Sequence, residues 1–481
     1  MNRLRTVFFL VVCGAWALPA LAQPANYARL LRDDADDFYH VPLGLCEDYP
    51  EETTTREIYV RDFELLRRAG IDLLRISFGW DGIEAEADDE YDWLFWDDFV
   101  ETAVDDYGIT LIPYVMYTPR WASREKGDDV FWRTPPEDFE KFGEFVFDLV
   151  TRYKDRIHSW ELWNEPDIEW YWRGTPEEFA AYVKIGAEAV RRADPEATIV
   201  LGGIAYQPDF IRTLFRDHGV SPYVDVVNMH NYFETWHNAP VEEIGEYIHR
   251  VDEVVERYGD GQPLWMAEVG YSSVRQGAHV SDDYTAYYAY EHTPEYQAVQ
   301  LVKTITAALA TDKLAALAWY EVKDLPPADQ VIGDNNNRHL GVAYNDHTPK
   351  PAEHALAFVN RLYAEPMRSI GEEVTFERAA DSDVVVHAFE QEDGDVIVVG
   401  WLQTRRVGEQ NDVGDGMHED ARSETLRITI PRALAGDVTA YDELGERRPH
   451  ENENVLREDA RTMVWEEMEG GKVYVLHLAK D

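Results

Sequence analysis

Between residues 40 and 363, eight short runs rich in β-branched and aromatic residues alternate with longer segments of helical period. The runs cover 40–45, 72–78, 110–116, 157–163, 198–204, 224–230, 264–269 and 315–320. The clearest helical segments are 57–68, 136–153, 176–192, 241–258, 294–311 and 351–363. Four of these open on proline, at Pro136, Pro176, Pro294 and Pro351. Proline suits the first helical position because its ring presets φ and the N–H it lacks would have had no partner there. Strands separated by helices are not joined as hairpins, and regular alternation of this kind fits parallel pairing. Eight such units predict a closed (β/α)8 barrel with enlarged loops. A doubly wound sheet would need a Gly-rich phosphate turn after the first strand, and none is present.

After Pro366 the helical period stops. Seven short runs, 374–378, 384–390, 396–402, 425–430, 438–441, 463–467 and 472–478, are separated by Asp-Gly and Gly-Gly turns. They predict a small antiparallel β-sandwich, with the acidic loop 403–423 in solvent. The expected organisation is a leader over 1–22, a catalytic barrel over 23–365 and an accessory sandwich over 366–481. The leader has Arg3 and Arg5 ahead of an apolar run and ends on Ala20-Leu21-Ala22. This is the pattern of a cleavable export signal, and it predicts a secreted or periplasmic protein. The apolar run is too short to span a membrane, and no later run approaches ~18 apolar residues. Cys13 would leave with the leader, so Cys46 stands alone as an apolar filler and no intramolecular disulfide can form.

Charge excludes one class of partner. The chain carries 45 Lys plus Arg against 93 Asp plus Glu, a net charge of −48, and no basic face could grip a nucleic acid. The acidic residues are dispersed along the chain and would repel one another in dilute buffer. At about 1 M salt the Debye length shrinks to about 3 Å and quiets that repulsion. Dispersed acidity therefore reads as adaptation to concentrated salt, with an ordinary acidic exported protein as the plainer alternative.

In a barrel, chemistry sits at the C-terminal strand ends. The fourth run ends Trp163-Asn164-Glu165-Pro166, and the seventh ends Ala267-Glu268-Val269. Strands four and seven face each other across the barrel mouth, so Glu165 and Glu268 can meet in one cleft. Two opposed carboxylates are what glycosidic-bond cleavage needs: one protonated, to supply the leaving oxygen, and one ionised, to meet the sugar carbon. The apolar neighbours Trp163, Pro166, Trp265, Met266 and Val269 argue against two merely solvated acids. Aromatic residues crowd the loops, at Trp80, Trp121, Trp132, Trp170, Tyr171, Trp172 and Trp236, and flat rings suit the C–H faces of sugars. Trp121 and Trp172 are candidate subsite walls.

Trp163-Asn164-Glu165-Pro166 with Glu268 on a later strand resembles the large clan of retaining (β/α)8 glycoside hydrolases. The stretch from Trp160 to Gly203, with Trp172-Arg173-Gly174-Thr175 and Leu201-Gly202-Gly203, is most similar to glycoside hydrolase family 39. Family 5 comes next. The resemblance implies Glu165 as acid/base and Glu268 as nucleophile, with Asn164 on the sugar 2-hydroxyl. It also implies Arg75 beside the nucleophile, the pair His230 and Tyr232 near the two carboxylates, and Trp319 as the sugar platform.

An Arg beside Glu268 should depress its pKa, while Glu165, facing a second carboxylate, should be raised. A structural ion pair with Glu161 is the alternative role for Arg75. For His230 the alternatives are a hydrogen-bonded core residue or a metal ligand, and no second ligand stands at a usable spacing, so neither metal nor cofactor is expected. The substrate implied is an oligosaccharide or glycoside with β-linked sugars. The alternatives are an endo-acting cellulase or mannanase of the family 5 kind, and a non-catalytic sugar-binding barrel. The segments 271–292 and 321–350 could roof the site, which favours action at chain ends. No Gly-x-Ser-x-Gly elbow or His-Glu-x-x-His motif supports a serine or zinc hydrolase.

Overall fold

Eight parallel strands close into a barrel in sequence order: β1 (Leu43–Glu47), β2 (Leu73–Gly79), β3 (Thr110–Met116), β4 (Ser159–Asn164), β5 (Thr198–Ile204), β6 (Val226–Asn231), β7 (Leu264–Gly270) and β8 (Leu314–Tyr320). The structure is a computed structural model that describes residues 38–234, 239–274, 289–326, 335–407, 417–430, 438–448, 455–456 and 461–480. The predicted export leader, Trp236 and the middle of both predicted roof segments lie outside the described residues. The helices are α1 (Arg56–Ala69), α2 (Trp80–Ile83), α3 (Leu94–Val100), α4 (Phe139–Tyr153), α5 (Pro176–Ala193), α6 (Pro208–Arg212), α7 (Ile244–Tyr258), α8 (Pro294–Leu309) and α9 (Pro351–Leu362). Together they wrap the barrel and bury its outward residues in one large core.

Local chemistry explains several of the helix starts. Thr175 caps α5 through a reciprocal pair with Glu178, and the Thr293 side chain accepts from the Tyr296 N–H at the start of α8. Pro176, Pro294 and Pro351 open their helices as expected, but Pro136 does not. It forms a bridge with Ser123, and α4 starts at Phe139 behind an Asp138 cap. The tandem Pro135-Pro136 holds the backbone extended there.

The C-terminal part forms two antiparallel sheets that enclose a core of their own. One has six strands in the order β15 (Arg447–Arg448), β14 (Val438–Tyr441), β18 (Val473–Leu478), β12 (Val396–Leu402), β11 (Val384–Gln391) and β9 (Met367–Ser369). The other has four: β10 (Thr375–Glu377), β13 (Ser423–Ile430), β17 (Arg461–Glu469) and β16 (Val455–Leu456). All of β12 is buried, because its second face, with Ile397, Val399 and Trp401, joins the barrel core beside Phe389 and Val475. A strand covered on both sides loses polar alternation. The described parts of the loop expected in solvent dock on the barrel instead. His418 donates its backbone N–H to Glu291 at 2.7 Å, and the Val407 N–H donates to the Ala289 carbonyl at 2.8 Å.

Candidate active site

The residues that fill the mouth of the barrel are set there by two departures from regular strand geometry. On β4, Glu161 points inward and makes its contacts inside the barrel, and simple alternation would send Trp163 in and Asn164 out. Trp163 instead has φ 79°, and Glu165 has φ 46°. The Trp163 ring lies on the helix side, 5.2 Å from Tyr182 of α5 and 5.0 Å from Trp172. Asn164 is thereby turned inward to accept from Arg75 Nη2 at 2.7 Å. Left-handed backbone at a non-glycine residue is unfavourable by about 1–3 kcal/mol, and the packed surroundings sustain it here. The Glu165 N–H donates to the Gly203 carbonyl at 2.8 Å. Asp167 accepts from the N–H groups of Ala205, Tyr206 and Gln207, which staples the end of β4 to the end of β5.

On β7 an extra residue is inserted relative to both neighbours. Asn228 and His230 of β6 pair with Trp265 and Glu268, while Met266 and Val269 pair with Leu317 and Trp319 of β8. This bulge lets both Ala267 and Glu268 face the interior. It also sets which aromatic residue of β8 looks into the site. Trp319 shares its side with Val269 and Leu45, is 0% exposed, and belongs to the layer between strands and helices. The expectation that Trp319 is the sugar platform is therefore corrected. Tyr320, registered with Gly270 and Cys46, is the inward aromatic, close enough to Glu268 and Tyr232 to feel their charge.

Six of the expected residues converge. A carboxylate oxygen of Glu165, a ring nitrogen of His230 and a carboxylate oxygen of Glu268 all lie within 4.8 Å of one another. His230 Nδ1 is 3.0 Å from Glu165 Oε1 and 3.5 Å from Glu268 Oε2. Three such atoms have a spacing that a cation could also use, a grouping that sequence spacing does not reveal. Tyr232 donates its hydroxyl to Glu268 Oε1 at 2.8 Å, and Arg75 Nη1 donates to Oε2 at 3.0 Å. Arg75 also holds Glu161 through two bonds, of 2.7 and 3.0 Å, so both roles weighed for it are present. Its guanidinium lies 4.2 Å from the centre of the Tyr114 ring, whose hydroxyl donates to Asp48.

Trp172 is buried among Trp163, Phe179 and Tyr182, with its indole N–H directed at the Thr175 carbonyl, so it is packing rather than a wall of the cleft. Trp121 is half-buried, stands edge-on to Trp80, and donates to the Glu84 carbonyl at 2.6 Å. Tyr171, next to Trp172 in the sequence, lies within electrostatic reach of Glu165 and Glu268. Cys46 is buried near Glu268 with Sγ 2.9 Å from the Ala267 carbonyl, and burial pushes its thiol pKa up.

Burial raises the pKa of both catalytic candidates. Glu165 goes well above the usual carboxylate range through desolvation and the facing Glu268. Glu268 is also raised by desolvation, with Arg75 and the Tyr232 hydroxyl pulling it back. The expected depression of Glu268 is thus corrected, because burial outweighs the cation. The order survives, since only Glu268 has two strong donors. His230 is held well below its ordinary value, by burial and then by Arg75, and is a neutral imidazole.

Neither Glu161 nor Asn228 is singled out by the motifs as part of the site, though inward parity from Glu165 and His230 would reach both. Glu161 accepts from Arg75, from the Gly203 N–H at 2.8 Å and from Asn228 Nδ2 at 2.9 Å.

A closed eight-stranded parallel barrel with one glutamate from the end of β4 facing another from β7 defines the glycosidase class of (β/α)8 proteins. The model of glycosyl hydrolases family 39 matches residues 32–437, and the chain belongs to that family. A β-xylosidase from Caldicellulosiruptor saccharolyticus is 29% identical over 195 residues, a match that spans 36% of this chain and 36% of that relative. Among solved structures, a family 39 glycoside hydrolase from Bacteroides cellulosilyticus WH2 superposes with TM-score 0.62 at 18% identity, covering 91% of this chain and 81% of that one. A monomeric β-xylosidase from Caulobacter crescentus CB15 gives TM-score 0.61 at 16% identity, covering 92% and 96%. Both share the fold. No helix among the described residues is long and apolar enough to cross a membrane.

Proposed function

We propose that this chain is an exported retaining glycosidase that cleaves β-linked sugars of the xyloside kind by double displacement, with Glu268 as nucleophile and Glu165 as acid/base. The observation that carries the reading is the approach of their carboxylate oxygens to within 4.8 Å. Retaining enzymes hold the two groups about 5–5.5 Å apart, whereas inverting ones leave about 6.5–9.5 Å for a water. The name of the curated β-xylosidase relative supports the sugar class. The leader pattern supports export, and the net charge of −48 supports work in brine.

In the first step the Glu268 carboxylate attacks the anomeric carbon while the bond to the leaving oxygen breaks and takes the Glu165 proton. Arg75 and Tyr232 keep the attacking group ionised and aimed. In the second step Glu165, now anionic, accepts a proton from water, and the hydroxide so formed displaces Glu268 from the sugar. Asn164, whose Oδ1 accepts from Arg75, is the residue placed to meet the 2-hydroxyl. Glu268→Gln should abolish turnover, and a 2-deoxy-2-fluoro β-xyloside should label Glu268, read by peptide mass spectrometry. A label on another residue, or full activity in Glu268→Gln, overturns the assignment.

A further inference from the structure

His230 stands between the two carboxylates, and its contribution depends on which ring nitrogen carries the proton. Two hydrogen bonds on the neighbouring inward residue of β6 decide this. Asn228 is 0% exposed, and its Oδ1 accepts from the Ala267 backbone N–H at 2.9 Å, a group that can only donate. Its Nδ2 donates to Glu161 Oε1 at 2.9 Å, a carboxylate already paired with Arg75 that can only accept. Each partner has one possible role, so the amide cannot be flipped. The second Nδ2 hydrogen faces His230 Nε2 at 3.3 Å. Among the described residues, no other polar group is within hydrogen-bond distance of Nε2. A proton on Nε2 would confront the amide hydrogens and have no acceptor. Gly203 closes the other side, because a Cβ there would lie 2.1 Å from Nε2.

We infer that Asn228 is a positioning residue that fixes the tautomer of His230, keeping the ring proton on Nδ1, where it is shared between Glu165 and Glu268. This rests on the catalytic reading above for its purpose and on the hydrogen-bond geometry alone for its existence. Nδ1–H, 3.0 Å from Glu165 and 3.5 Å from Glu268, serves whichever carboxylate is charged. In the free enzyme the anion is Glu268. Once the sugar ester forms, the proton of Glu165 has gone to the leaving oxygen, and the charge sits on Glu165. The donor follows that charge by a small change of hydrogen-bond partner, and the ring itself neither gains nor loses a proton. His230 is therefore a fixed donor and not an acid or base.

The test is long-range 1H–15N correlation on the full chain grown with ring-labelled histidine, with the His230 signals identified as those lost in His230→Gln. The expected result is a neutral ring with Nδ1 protonated and Nε2 bare. In Asn228→Asp an acceptor replaces the amide donor, so the proton should move to Nε2. kcat on a dinitrophenyl β-xyloside, whose leaving group needs no acid, should then fall about 10²–10⁴-fold and KM should fall with it, because the glycosyl-enzyme accumulates when the base that activates water loses its aligned donor. Asn228→Ala, which adds no buried charge, should give mixed ring signals and a smaller loss. A wild-type ring protonated on Nε2, or an Asn228→Asp ring unchanged from wild type, overturns the proposal. The ring measurement decides the tautomer whether or not fluorosugar labelling finds Glu268, so the two readings fail separately.

Discussion

Replacing Glu161 by glutamine tests how the buried charges under the site are balanced. Oε1 of Glu161 accepts from Arg75 Nη2, Gly203 N and Asn228 Nδ2, while among the described residues Oε2 accepts from Arg75 Nε alone. A glutamine amide would therefore keep its oxygen at the Oε1 position and place its NH2 against Arg75 Nε. One charge-assisted bond of 2.7 Å becomes a donor–donor contact, and the buried ion pair loses its anion. Breaking a buried pair by removing one partner costs about 3–5 kcal/mol. At an unfolding entropy of about 2.1 cal/mol/K per residue, a chain this long loses about 1 °C of melting midpoint per kcal/mol, so the fall should be about 3–5 °C.

The pH profile carries the sharper signature of the same change. Glu161 is one of the charges that raise the pKa of Glu268, and it also holds two of the Arg75 bonds. Without that anion the Arg75 charge acts more fully on Glu268, whose pKa falls. The acid limb of kcat/KM should then move to lower pH, even as kcat drops because a better-stabilised anion attacks less readily. Scanning calorimetry and pH-rate profiles on the same preparation read both effects. A midpoint change below about 1 °C, or an acid limb moved to higher pH, would refute the assignment of Glu161 as counterweight.

Four further outcomes are expected. Trp319→Ala should lower stability by about 3–5 kcal/mol with KM nearly unchanged, whereas Tyr320→Ala should raise KM with little loss of stability; the reverse pattern restores Trp319 as platform. Gly203→Ala drives a methyl to within 2.1 Å of His230 Nε2 and should cut kcat by about 10-fold or more, measured on the dinitrophenyl β-xyloside. The folded pKa of Glu165 lies above its unfolded value, so ionising it costs stability that grows as pH rises from the unfolded value to the folded one. Glu165→Gln should accordingly raise the melting midpoint more at about pH 8 than at about pH 4, and an equal rise at both argues against the shift. Finally, activity and melting midpoint should climb from about 0.1 M to about 2 M NaCl, and a flat profile would remove the reading of the acidic surface as salt adaptation.

Much of the barrel is written locally. The predicted 110–116 and 198–204 coincide with β3 and β5, and Thr175-Pro176 and Thr293-Pro294 mark two helix starts, because caps and prolines act within one turn. The motif at Trp163–Pro166 and the position of Glu268 follow from the same run of strands. Side-chain direction is not written locally. In β8, Leu-Ala-Ala-Leu-Ala-Trp-Tyr is apolar on both faces, as a strand covered by barrel interior and helices must be, so parity carries no sign of which aromatic points inward.

The order of elements, and the chemistry carried near their ends, are written along the chain: two glutamates, an arginine and a His-x-Tyr, each within a few residues of a strand terminus. Which way those side chains face is set by packing in the closed barrel. The left-handed turn at Trp163 and the bulge at Ala267 and Glu268 depend on what packs against them. The same is true of the electrostatics, since the burial that lifts Glu268 despite Arg75, and the amide that orients His230, come from residues far apart in the chain that only closure of the barrel brings within hydrogen-bond reach.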